Sequence, residues 1–199
     1  MRKPIFTLIL LVPLLAFSQK KGKAKEVESD TTVQIPFVND AIIYSEVVQV
    51  DSTSATDLYQ RAKRFFVDAY KSANDVIQMD DEKNGEVTGK GNFKVFFDRG
   101  ALISGVSTSV KHTISIYVKD GRYKYEIKDL SVNYYESGSR IGTSYISGHE
   151  VNSPLEGFAK SKMKMHKRYI EAVDAEIRAT INLLKAAMLK KPETKKSDW

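Results

Sequence analysis

The stretch from Ser107 to Lys128, STSVKHTISIYVKDGRYKYEIK, determines how this chain folds. Apolar side chains alternate with small or charged ones on both sides of Asp120-Gly121. This is the pattern of two antiparallel strands with one buried face. The inward positions are Val110, His112, Ile114, Ile116, Val118, Tyr123, Tyr125 and Ile127. The sequence therefore predicts a hairpin, closed by a tight turn of type I′ at Asp120-Gly121.

The apolar positions change parity beyond this hairpin. Leu130, Val132 and Tyr134 are apolar and even-numbered. The inward positions before them in the same strand, Tyr123, Tyr125 and Ile127, are odd-numbered. A strand can keep the same face buried through such a change only if it contains an extra residue. We therefore predict a β-bulge at Lys128-Asp129.

Three further strands are predicted on the N-terminal side of the hairpin. They cover Ala41 to Val50, Asp75 to Met79 and Glu86 to Phe97, with a turn-rich connection before the last. Gly89 and Gly91 within the last strand indicate either a bulge or a close approach of another part of the protein.

Two amphipathic helices flank these strands. The first begins after Ser54, a helix cap with Asp57 as its capping-box partner, and Arg61 is predicted to lie on its polar side. Its apolar stripe contains Ala55, Leu58, Tyr59, Ala62, Phe65, Phe66, Ala69 and Tyr70. The second is predicted from Lys160 to Leu189. Its stripe contains Met163, Ile170, Val173, Ile177, Ile181, Leu184 and Met188.

This order of elements predicts an α+β fold. Strands linked by hairpins, with the helices separated from them in sequence, favour an antiparallel sheet with two helices packed on one face. The expected order is β-α-β(4-5)-α, and the polar alternate positions predict a solvated outer face. Ser137 to Phe158 is predicted to be irregular, with a short strand around Ile141 to Ile146.

The N-terminal segment has the features of an export signal. Arg2 and Lys3 precede the apolar run from Ile5 to Phe17, and small residues occupy positions 16 and 18. The run is shorter than the ~20 residues of a spanning helix, which argues against a retained anchor. We expect residues 1–18 to be a signal peptide, 19–32 a disordered linker, 33–188 one α+β domain and 189–199 a disordered basic tail. The expected location is periplasmic or secreted, with no transmembrane segment after cleavage.

Composition excludes several kinds of site. The chain of 199 residues has no cysteine, which excludes disulfides, thiolate metal sites and a cysteine nucleophile. Its net charge of +6 comes mainly from the two ends, because residues 33–188 contain 21 basic and 20 acidic side chains. Nucleic-acid binders concentrate positive charge on the folded body, so we predict no nucleic-acid partner.

No known catalytic or metal-binding arrangement is found in the sequence. His112 has no second ligand at suitable spacing, and His149-Glu150 lacks the second histidine of a metalloprotease helix. We therefore expect no enzymatic activity, no metal and no cofactor. Core packing accounts for His112, Tyr123 and Tyr125. The competing interpretation makes these three residues a ligand-binding groove between the sheet and the C-terminal helix.

Several short motifs together resemble a known family. They are Leu58-Tyr59, Arg61-Ala62, Phe65-Phe66, Asp75-Val76-Ile77-Gln78, Gly85 and Gly89-Lys90-Gly91. This set is similar to a Bacteroidetes domain-of-unknown-function family described as having a TATA-binding-protein-like fold. The resemblance covers roughly residues 36–135, and Phe65 stands where that family usually has Trp. It implies this fold and an envelope or secreted location, and it implies no chemistry.

These observations predict an exported, non-catalytic binding or structural module of the bacterial envelope. Its expected partner is an unknown envelope protein or a small apolar ligand. The last helix is predicted to be longer than the first, so its end extends beyond the sheet and leaves room for an oligomer. The alternative is a carrier of a small molecule or lipid that uses the groove between the sheet and the C-terminal helix.

Overall fold

The computed structural model of this chain describes residues 33–70, 73–97, 106–136, 140–141, 144–145 and 149–190. The predicted signal peptide, the linker and residues 191–199 of the predicted tail lie outside these ranges. The strands are β1 Phe37–Val38, β2 Ala41–Ile42, β3 Tyr44–Gln49, β4 Ile77–Asp81, β5 Glu86–Phe97, β6 Val106–Lys119, β7 Arg122–Glu136, β8 Arg140–Ile141, β9 Ser144–Tyr145 and β10 His149–Pro154. The helices are α1 Ala55–Ala69, α2 Ala73–Val76, α3 Leu155–Ala159 and α4 Lys164–Leu189.

The main sheet is antiparallel and six-stranded, which confirms the predicted fold class. Its order is β10-β7-β6-β5-β4, and β3 also pairs with β7, alongside the part that β10 leaves unpaired. Helices α1 and α4 pack against one face and against each other. The predicted order of strand, helix, antiparallel strands and helix is therefore correct.

The central hairpin has the predicted register, but its turn is of a different type. Val118 faces Tyr123 and Lys119 faces Arg122 across β6 and β7. Of the two turn residues only Gly121 has a positive φ, +73°, whereas a type I′ turn needs positive values at both. The prediction of type I′ was wrong, and the observed combination is that of a type II turn.

The predicted bulge is confirmed at Asp129. Thr113 pairs with Lys128 and Lys111 pairs with Ser131, so β7 has one residue more than β6 between these pairs. Asp129 itself has a φ of +56°. Because of this extra residue, Leu130 and Val132 are buried on the same side of the sheet as Tyr125 and Ile127.

Contacts with the hairpin turn determine where α1 begins. The Asp120 carboxylate accepts a hydrogen bond of 2.7 Å from the Ala55 backbone N–H. The Ser54 side chain accepts one from the Asp57 backbone N–H, as predicted for a helix cap. The N-terminus of α1 is thereby held at the closed end of the β6–β7 hairpin.

One helix residue was assigned to the wrong face. Arg61 is buried, and its Nη1 donates a 2.7 Å hydrogen bond to the backbone oxygen of Met188. The carbonyls in the last turn of a helix have no partner within that helix. Arg61 therefore links α1 to the C-terminal end of α4, and periodicity along α1 alone could not predict this contact.

The C-terminal part of the chain also differs from the prediction. α4 begins at Lys164, and Met163 is exposed at its cap, so Met163 does not belong to the buried stripe. The other six predicted stripe residues are buried. Part of the segment predicted to be irregular forms β10, which pairs with β7, and the helix α3.

Two smaller corrections concern α2 and the outer face of the sheet. Ala73–Val76 forms the helical turn α2, so β4 starts at Ile77 and not at Asp75. Thr113 and Ser115 on the outer face are buried, although that face was expected to be solvated. Within the described residues, none of the helices combines the length and apolar character that crossing a bilayer would require.

Candidate functional site

Two glycines of β5 allow the end of α1 to lie directly on the sheet. A Cβ atom added to Gly91 would come within 2.3 Å of Cε1 of Tyr70, and one added to Gly89 within 2.5 Å of Cε1 of Phe66. Only glycine fits where another group approaches the backbone this closely. The predicted close approach is confirmed, and its partners are the two aromatic rings at the end of the α1 stripe.

Tyr70 and His112 form a hydrogen-bonded pair beside these glycines. The Tyr70 hydroxyl lies 2.6 Å from Nε2 of His112, which is 3% exposed. The Phe93 ring centroid lies 5.1 Å from that of the imidazole. One atom of the Tyr70–His112 bond donates and the other accepts, so a neutral imidazole satisfies it.

The environment of His112 disfavours a charge on its ring. Burial lowers the pKa of His112 to about 4, and the nearby Val110 backbone opposes that shift only in part. Nδ1 is buried and makes no hydrogen bond of good geometry. Burial also raises the pKa of Tyr70. At neutral pH the Tyr70–His112 pair is therefore uncharged.

An open cleft of about 880 Å³ borders the Tyr70–His112 pair. Five consecutive β5 residues, Lys90 to Lys94, line it, as do Tyr70, His112 and Val76. Successive strand residues point to opposite faces of a sheet. A cleft lined by consecutive residues therefore reaches both faces and the edge of β5.

Lysines predominate on the outer side of this cleft. Lys90 and Lys94 lie two positions either side of Asn92, and Asn92 pairs across the sheet with Lys111. All three lysines are exposed and line the cleft, together with two carboxylates, Asp75 on α2 and Asp129 at the bulge.

Some cations of the outer face have acidic partners and others do not. Near the hairpin turn, Glu126 forms ion pairs with Lys124 at 2.6 Å and with Lys128 at 3.4 Å. At the cleft, Lys90, Lys94 and Lys111 form no ion pair with any residue that the structure describes. Three neighbouring cations next to Asn92 on the outer face therefore have no acidic partner among the described residues.

The predicted ligand residues Tyr123 and Tyr125 lie elsewhere. They face Val118 and Ile116, and Ile116 is four residues from His112, roughly 13 Å at strand spacing. Both rings are buried. The structure brings the two tyrosines together under the sheet and does not bring them to His112.

The surroundings of Tyr125 belong to the contact between the sheet and α4. Its hydroxyl donates a 2.9 Å hydrogen bond to Glu46, and that carboxylate accepts another from Lys185 at 2.6 Å. The Lys185 ammonium also lies 6.0 Å from the Tyr125 ring centroid. At Tyr125, the space between the sheet and the C-terminal helix, where the alternative interpretation placed a ligand, is therefore filled by side chains of the protein itself.

A second polar contact holds the middle of α4. The Tyr44 hydroxyl donates to Asp174 at 2.8 Å, and Arg178 donates to the other oxygen of Asp174 at 2.7 Å. Tyr44 and Asp174 are buried, whereas Arg178 is exposed. Asp174 lies beside an apolar stripe, and the sequence around it gives no sign of its partner on β3.

The other clefts and side-chain clusters of the described residues are weaker candidates for a functional site. A smaller cleft of about 290 Å³ lies near the start of α1 and is lined by Tyr59, Gly85 and Asp120 among others. Within the described ranges, no three His, Cys, Asp or Glu side chains are grouped closely enough to hold a metal ion. Lys90, Lys94 and Phe93 were not among the predicted site residues. The glycine pair around Lys90 was the available signal for this cleft.

The fold and its cleft place the protein in a class of known architecture. It is an α+β domain with a long-stranded antiparallel sheet and helices packed on one face, as in proteins with a TBP-like fold. Residues 44–133 match the profile of the family described as "Domain of unknown function (DUF4468) with TBP-like fold". The predicted resemblance to this family is therefore confirmed over residues 44–133.

Two solved structures have the same fold. A TBP-like protein from Parabacteroides distasonis ATCC 8503 aligns with a TM-score of 0.60 at 16% identity, over 79% of this chain and 98% of that chain. A DUF4468 family protein from Bacteroides ovatus ATCC 8483 aligns with a TM-score of 0.54 at 18% identity, over 81% and 93% respectively. No curated protein matches the chain. At these identities the likeness concerns the fold alone.

Proposed function

We propose that this protein is an exported, non-catalytic binding module of the bacterial envelope and that it binds its partner at the cleft beside β5. The observation that carries the proposal is that one cleft combines closely packed aromatic rings with lysines that form no ion pair with a described residue. Tyr70, His112 and Phe93 pack together on one side, and exposed lysines line the other. A preformed concave surface of mixed character is typical of binding sites.

Export rests on the N-terminal sequence. A positively charged start, an apolar run and small residues before position 19 are the features that secretion machinery reads. A binding role without catalysis is supported by the kind of groups in the cleft. Lysine ammonium groups are point charges that bind anions, and the neutral His112 is engaged with Tyr70.

Site-specific photo-crosslinking in the native envelope tests this proposal. A photo-reactive amino acid would replace Asn92 in the cleft, and in a matched control it would replace Lys162, which is exposed before α4. We expect products, identified by mass spectrometry, that form from position 92 and not from position 162. The same products from both positions, or none from position 92, would contradict the use of this cleft.

A further inference from the structure

The edge of β5 is paired over only part of its length. Glu86 to Gly89 pair with β4 on one side and with β6 on the other. From Lys90 to Phe97, β5 pairs with β6 alone among the strands that the structure describes. An unpaired edge presents backbone N–H and C=O groups that can pair with another extended chain.

The cleft lies along this part of the edge. Its lining includes every β5 residue from Lys90 to Lys94, and Ala69 and Tyr70 at the end of α1. A neighbouring strand lies ~4.8 Å from the strand it pairs with. The cleft of about 880 Å³ lies where such a strand would run, and its walls are the side chains that the strand would meet.

Those walls differ on the two faces. On the outer face, an added strand would meet Lys90 and Lys94, with Lys111 one strand further in. On the inner face it would meet Gly91, the half-buried Phe93 and the ring of Tyr70. Side chains of a strand alternate between the faces. The edge therefore favours a partner with carboxylates at every second position and apolar or small residues between them.

We infer that β5 binds an extended acidic peptide segment as an additional strand of the sheet. This inference rests on the proposed function, because it names the partner of the same cleft. Strand addition supplies backbone hydrogen bonds, and the side-chain pockets on alternate positions supply the specificity. Phe96, which is 71% exposed on the outer face of the same edge, extends the contact surface beyond Lys94.

The chain's own sequence provides a suitable probe. Glu26, Glu28 and Asp30 alternate with Val27 and Ser29. A fluorescent peptide with the sequence of residues 26–33 would be titrated with the purified protein at 150 mM salt and followed by fluorescence anisotropy. We expect saturable binding, and amide hydrogen exchange of residues 90–94 should slow when the peptide is bound.

Variants of protein and peptide separate strand addition from simple charge attraction. Lys90→Gln with Lys94→Gln should weaken binding roughly two- to thirtyfold, as expected for the loss of two exposed charge contacts. Lys162→Gln with Lys167→Gln removes the same charge elsewhere and should leave binding unchanged. A peptide with its three acidic residues made consecutive, and one with alternate backbone nitrogens methylated, should each bind much more weakly.

Three results would overturn the inference. The first is equal affinity for the rearranged or methylated peptide. The second is no loss of affinity in the Lys90 and Lys94 double variant. The third is no saturable binding either of this peptide or of a version with leucine at its inner positions. Specific crosslinks from position 92 together with any of these results would reject the acidic strand and leave the cleft as a binding site.

Discussion

Protonation of His112 should make the stability of this protein depend on pH in a range where carboxylates hardly contribute. The folded protein holds the pKa of His112 at about 4, because the ring is buried against Tyr70 and Phe93. In the unfolded chain the ring titrates near its ordinary value of about 6.5. Between these two values the unfolded state binds more protons than the folded state. The free energy of unfolding therefore falls as the pH falls.

The size of the effect follows from the two pKa values. Between pH 7.5 and pH 5 the linkage relation gives a loss of about 2 kcal/mol from this one residue. The loss stops growing below pH 4, where the folded protein also binds the proton. The lowered pKa values of Glu46, Asp80 and Glu126 act in the same direction, but their contribution is lost only at lower pH, as those carboxylates are protonated.

Urea unfolding of the wild type and of His112→Gln at several pH values would measure this contribution. The glutamine side chain of the variant cannot titrate but can still hydrogen-bond the Tyr70 hydroxyl. The difference in stability between the two proteins should shift by about 2 kcal/mol in favour of the variant between pH 7.5 and pH 5. Parallel pH profiles for the two proteins would show that the surroundings of His112 do not hold its ring neutral and that the Tyr70–His112 pair is not an uncharged side of the cleft.

Three further predictions concern α4 and the N-terminus. Asp174→Ala should destabilise the fold by about 1–3 kcal/mol in urea unfolding, because it leaves the buried Tyr44 hydroxyl without its acceptor. Tyr44→Phe should then cost nothing further in that background, and equal costs in both backgrounds would argue against the contact. Ile177→Asp, at a fully buried position, should cost several kcal/mol in thermal melts. Leu183→Asp on the exposed side of α4 should stay within about 0.5 kcal/mol, and equal effects would mean that the stripe does not face the sheet. Intact-mass analysis of exported protein should show cleavage after Ser18, and a mass that retains residues 1–18 would reject the predicted processing.

The elements that depend on neighbours in sequence were predictable. The β6–β7 hairpin, the bulge at Asp129 and the Ser54 cap all follow from alternation, parity or a local hydrogen bond. The type of the hairpin turn did not follow, because the backbone N–H of Gly121 donates a hydrogen bond to the carbonyl of Thr53. That contact belongs to the connection that leads into α1, and no pattern around the turn predicts it.

The cleft was visible in the sequence only through its glycines. Gly89 and Gly91 indicated that something approaches the backbone there, but not what it is. His112 was recognised as a possible site residue and was grouped with Tyr123 and Tyr125 because the three share one face of the sheet. Sharing a face does not bring residues together, since positions four apart on a strand are separated by roughly 13 Å.

By itself the sequence of this protein determined the order of its elements, the inward side of each strand and the family resemblance, because these depend on periodicity and on local backbone chemistry. Only the tertiary structure decided which polar groups meet. Arg61 hydrogen-bonds the backbone oxygen of Met188 at the C-terminal end of α4. Tyr44 hydrogen-bonds Asp174, and Tyr70 hydrogen-bonds His112. The partners in these pairs are 127, 130 and 42 residues apart. A buried polar group must find a partner, but its own sequence neighbourhood does not say which one. The position of the cleft follows from the same packing, because the end of α1 rests on the two glycines, and beyond them the described strands leave the outer edge of β5 without a partner.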